Sequence, residues 1–66
     1  MIDFELAERK KLSVHFSFME GVYILDIMNP KDDLLFNVVD NNFLEVFGRG
    51  MEFILDYRDH LTLLRN

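Results

Sequence analysis

Apolar and polar residues alternate most cleanly between Leu12 and Met19. Leu12, Val14, Phe16 and Phe18 are separated by Ser13, His15 and Ser17, the period-two pattern of a half-buried strand. A helix would scatter those four apolar groups around its circumference, so the segment predicts a strand. Glu20-Gly21 interrupts the pattern, and Val22–Met28 predicts a second strand paired antiparallel to the first. Glu-Gly matches the mirror-image two-residue turns poorly. The expected connection is therefore a slightly longer loop, with Gly21 left-handed beside a bulge.

The second strand places Tyr23, Leu25 and Ile27 on one face and Val22, Ile24, Asp26 and Met28 on the other. Both faces are mostly apolar, which predicts a central strand or one covered on both sides. Asn29-Pro30-Lys31-Asp32-Asp33 is the strongest turn signal, because proline fixes φ and extends the residue before it. Leu34–Val39 then predicts a third strand by its length and branched residues.

From Asp40 the pattern divides. In the reading adopted, Asp40-Asn41-Asn42 turns, and Phe43–Phe47 and Met51–Tyr57 form two more strands flanking a Gly48-Arg49-Gly50 loop. The rival reading makes this part helical. Asn42 with Glu45 then resembles a capping box, and Ile54, Tyr57, Leu61 and Leu64 share a stripe. Two glycines so close together weigh against one continuous helix. The first ten residues remain open: Ile2, Phe4 and Leu6 alternate like an edge strand, yet Glu5–Lys10 are good helix formers. The expected fold is mainly β, an antiparallel meander or barrel of five to six short strands in one small domain spanning 1–66. The alternative is α+β, an antiparallel sheet with a C-terminal helix.

Composition adds a stability problem. A chain of 66 residues buries only about 60% of its unfolded surface. It has no cysteine for a disulfide or a thiolate metal cage. Support is expected from packing or from a second chain, and a homodimer is the expectation. The longest apolar run is Val22–Leu25, far short of the roughly 20 residues that cross a membrane. The acidic N-terminal sequence is unlike a secretory signal. Lack of cysteine fits a reducing compartment, so the expected location is cytoplasmic.

Catalytic material is sparse. Ser13, His15 and Ser17 share one face of the first strand, but neighbours two apart lie about 7 Å from one another. That is too far for direct proton transfer, and the set reads as a solvated polar face. Asp56 and His60 lack the further ligands of a zinc or iron site, and Asp32-Asp33 is not followed by the ligands of a calcium loop. Gly48-Arg49-Gly50 lacks the lysine and hydroxyl of a phosphate cradle. No metal, cofactor or catalytic residue is expected. Arg9-Lys10-Lys11 is the only basic cluster, flanked by Glu5 and Glu8, so neither direct nucleic-acid contact nor an anionic membrane is expected as a partner.

Two surpluses remain. The net charge is −5, with −3 on residues 1–33 and −2 on residues 34–66. Asp26, Asp32, Asp33 and Asp40 are expected to gather near one end of the meander, where they would steer a basic partner. The second surplus is apolar: Val22, Ile24 and Met28 back onto an already apolar face, as interface residues do. These seven are the partner-binding candidates. Together they predict a small, acidic, non-catalytic protein-binding module that occludes or recruits a larger partner. Inhibitors, antitoxins, immunity proteins and phage accessory proteins act in this way. The alternative is a DNA mimic competing for the basic groove of a nucleic-acid-binding protein.

Overall fold

Asp3 is extended, and its Oδ1 accepts the Leu6 amide at 3.0 Å. That cap starts helix α1 (Phe4–Arg9) in the computed structural model, which describes residues 2–58. The helix ends in a hydrogen-bonded Schellman pair: Leu12 donates to the Ala7 carbonyl at 2.9 Å and Lys11 to that of Glu8 at 2.9 Å. Lys11, at φ 59°, occupies the left-handed position where glycine is usual. Leu12 is thereby tucked into the core beside Ala7.

Three strands follow: β1 (Ser13–Met19), β2 (Val22–Met28) and β3 (Leu34–Asp40). They form one antiparallel sheet in the order β1-β2-β3, with β2 in the centre as its two apolar faces imply. Met19 pairs directly with Val22, so Glu20 and Gly21 alone make the turn, at φ 53° and 81°. Two successive positive φ values belong to the mirror-image turn that suits the strands' twist. The expected longer loop is therefore absent, and Glu20 accepts the strained backbone to keep the hairpin tight. The Pro30 turn behaves as its residues dictate. Asn29 Oδ1 accepts amides from Lys31 and Asp33, both at 2.9 Å, and Asp32 takes φ 65°.

The chain after Asp40 corrects the mainly β expectation. Phe43–Phe47, Met51–Tyr57 and the glycines between them are neither two strands nor a loop. They belong to one helix, α2 (Phe43–Asp56), capped by Tyr57. Asn42 starts it by accepting from the Leu44 and Glu45 amides at 3.0 and 3.2 Å. The described fold is thus α+β, with three strands and two helices. Of the stripe proposed for a C-terminal helix, Leu61 and Leu64 lie outside the described residues, as does His60.

Both helices lie on the face of the sheet carrying Leu25 and Ile27. Those two residues are fully buried with Val46 and Ile54 of α2. Gly50 lets the helix approach: a Cβ there would overlap Leu25 Cδ2 and lie 3.0 Å from Ile2 Cδ1. The sheet's other face carries Val22, Ile24 and Met28, half-buried, beside Met19, Leu34 and Val39, which are exposed. Among the described residues no helix is long and apolar enough to cross a membrane.

Candidate functional site

Among the described residues strand β3 is an edge of the sheet. Its pairing slips opposite Ile27 and Met28, so that Leu35 bulges and regular pairing resumes from Phe36 to Asp40. An edge presents a row of backbone donors and acceptors with no strand to receive them. Alongside it, α2 and β3 diverge into an open groove of about 640 Å³. Phe36, Asn37 and Val38 line it from β3, and Phe53 closes the apolar floor from α2. The Phe36 and Phe53 rings stack with centroids 4.9 Å apart.

The outer wall of the groove is charged. Glu45, Arg49, Glu52 and Asp56 recur along α2 at spacings of four, three and four, which places them on one side of the helix. Arg49 Nε donates to Glu45 Oε1 at 3.0 Å in a solvent-exposed pair. Glu52 and Asp56 have no cationic partner among the described residues. They also repel one another at i, i+4, and Asp56 sits at the helix C-terminus, where the backbone dipole disfavours an anion. Neither carboxylate is placed to stabilise the helix, and both are exposed.

A second feature lies at the opposite edge. Phe16, Tyr23, Phe43 and Phe47 form a connected aromatic cluster with centroids 4.3–6.2 Å apart, and Phe18 joins it against Tyr23 at 4.7 Å. Phe16, Phe18 and Phe43 are 43%, 57% and 41% exposed. Helix α2 packs chiefly on β2 and β3 and reaches β1 through Phe43 and Phe47 against Phe16.

The residues singled out from the sequence fall elsewhere. Asp32 and Asp33 occupy the β2–β3 turn, whereas Asp40 ends β3 at the far side of the sheet. At about 3.3 Å per residue the strand separates them by roughly 20 Å, so the four acids do not gather. Asp26 is mid-strand on the outer face, where Asn37 Nδ2 donates to its Oδ1. Val22, Ile24 and Met28 do share that outer face. Ser13, His15 and Ser17 are exposed along it, and His15 lies opposite Asp26 in register. Gly48-Arg49-Gly50 is helix interior, and Lys10 of the basic cluster hydrogen-bonds the end of α2. Reading the sequence missed the groove residues. The signal was the four-three-four spacing from Glu45 to Asp56, visible only once the segment is read as helix.

No protein-family model matches the chain, and no curated protein or solved structure is significantly similar to it.

Proposed function

We propose that this is a small acidic, non-catalytic protein-binding module that captures an extended, Lys- or Arg-bearing segment of a larger protein. The segment adds to β3 as a fourth strand, and its alternate side chains enter the groove. One observation carries the reading: among the described residues, an open strand edge runs beside an apolar floor and two carboxylates without a cationic partner, Glu52 and Asp56. Strand addition of this kind takes affinity from backbone hydrogen bonds and selectivity from pockets for every second side chain. Phe36, Val38 and Phe53 suit an apolar side chain, while Glu52 and Asp56 suit a cation. The net charge of −5 raises the encounter rate with a basic partner. Binding in this way either recruits the larger protein or occludes the segment it captures.

Mimicry of DNA is the weaker reading. The described carboxylates are spread over α1 and its cap, the two strand turns, the outer sheet face, the end of β3 and α2, where a phosphate-like ridge would need them in line.

Selection from a random heptapeptide library tests the proposal. Extended sequences alternating Lys or Arg with apolar residues should be enriched, and the enrichment should disappear with Glu52→Lys/Asp56→Lys. Enrichment of acidic or helical sequences, or indifference to that double substitution, would remove the proposal.

A further inference from the structure

We infer that a second copy of this chain docks along β1, the two strands pairing antiparallel about Phe16 to join both sheets into one of six strands. This goes beyond the groove reading and stands on different residues, at the other edge of the sheet.

Strand β1 has four apolar side chains and no buried residue. Phe16, Phe18 and Met19 are 43%, 57% and 57% exposed, the last two more than half open to water. Natural edge strands are protected by Lys, Pro, bulges or short length. Strand β1 is seven residues long and has none of these. Leu12–Met19 is also the longest stretch of the chain without Asp, Glu, Lys or Arg. Two copies that each carry −5 therefore meet where neither is charged.

The strand is self-complementary about its centre. With Phe16 opposite its symmetry mate, Val14 faces Phe18 on the helix side, and His15 faces Ser17 on the outer side. Directly opposed pairs of this kind are the contacts that stabilise a sheet. At each end of the seam Leu12 falls opposite Glu20, which sets Lys11 beside Glu20 of the other copy. Both residues are exposed and have no ion pair among the described residues of one chain. The two aromatic clusters would then meet at Phe16. Because the same edge is used by both copies, the assembly closes at two and leaves each β3 free.

Light scattering of the full chain at micromolar concentration tests this. The expected mass is twice the 7.9 kDa of one chain. A single-chain mass, or species that keep growing with concentration as in edge-to-opposite-edge stacking, overturns the inference. Phe16→Lys should restore the single-chain mass with its far-UV circular dichroism retained, and a dimer surviving it also overturns the inference. Should that variant lose its fold, crosslinking decides, because the chain has no cysteine. Residues directly opposite lie about 4.5–5.5 Å apart between Cα atoms, within disulfide range. Phe16→Cys should therefore crosslink on mild oxidation. Ser13→Cys should not, since the two copies of that position are roughly 20 Å apart along the seam. Equal crosslinking, or none at position 16, contradicts the pairing. Glu20→Lys should raise the dimer dissociation constant about fivefold, and adding Lys11→Glu should reverse the loss.

Discussion

Lys10 reaches across the fold to Ile54: its Nζ donates to the Ile54 carbonyl at 2.7 Å, and to those of Leu55 and Tyr57 at 3.1 and 3.0 Å. One ammonium thus satisfies three carbonyls where α2 ends, and its charge lies at the negative end of the helix dipole. No basic residue of α2 itself serves the last turn. Lys10→Met keeps the apolar stem but removes these bonds, and should lower the unfolding free energy by about 1–2 kcal/mol. Urea denaturation followed by circular dichroism measures it. An unchanged midpoint would show that the carbonyls are equally well served by water.

The two glycines of α2 should respond with opposite signs. Gly50→Ala forces a methyl into Leu25, which is fully buried, and against Ile2. Overpacking of this kind costs about 1–3 kcal/mol. A Cβ at Gly48 meets nothing within 4 Å, so Gly48→Ala should stabilise the helix by about 0.5–1 kcal/mol. Thermal unfolding of the pair tests the packing of α2 on β2, and shifts of the same sign would contradict it.

The β1–β2 turn makes a third test. Glu20 holds φ 53° without a residue type that favours it, and Asn is the preferred occupant of that turn position. Glu20→Asn should stabilise by about 0.5 kcal/mol. Gly21→Ala, at φ 81°, should destabilise by about 1 kcal/mol. Both changes leave the core untouched, so chemical denaturation at concentrations low enough to dissociate the proposed dimer reads the turn alone.

How far these features could be read from the sequence depended on which residues do the packing. The three strands and the Pro30 turn were legible, because alternation and proline act locally. Helix α2 is less legible, although Asn42 and Glu45 mark its cap. The reason lies at Gly50. The buried line of the helix is Val46, Gly50 and Ile54, so its middle position is a glycine chosen for closeness to Leu25. A glycine in that place reads as a break in the hydrophobic pattern when it is in fact the contact point. Met51, Phe53, Leu55 and Tyr57 meanwhile alternate like a strand, although Leu55 is 59% exposed on the helix. The groove followed the helix into obscurity, since Glu52 and Asp56 share a wall only when α2 exists. Lys10 likewise read as one of three basic neighbours, and its partners lie more than forty residues away.

Asp56 separates function from stability. As an anion at a helix C-terminus, four residues after Glu52, it is unfavourable to α2. Asp56→Gln should therefore raise stability by about 0.3–0.5 kcal/mol while weakening a Lys-bearing heptapeptide about threefold. Denaturation and fluorescence anisotropy on the same sample give the two numbers. A loss of stability together with weaker binding would instead assign the carboxylate a structural role.

Addition of an extended basic segment to β3 is tested most directly by titrating the isotopically labelled protein with a heptapeptide alternating Lys and Val while following backbone amide resonances. The prediction is that shifts concentrate on Phe36–Asp40 and on the Glu45–Asp56 side of α2. Methylating alternate backbone nitrogens of the peptide should abolish them. Shifts centred on β1 or on the Asp32-Asp33 turn, or binding that survives the methylation, would contradict it.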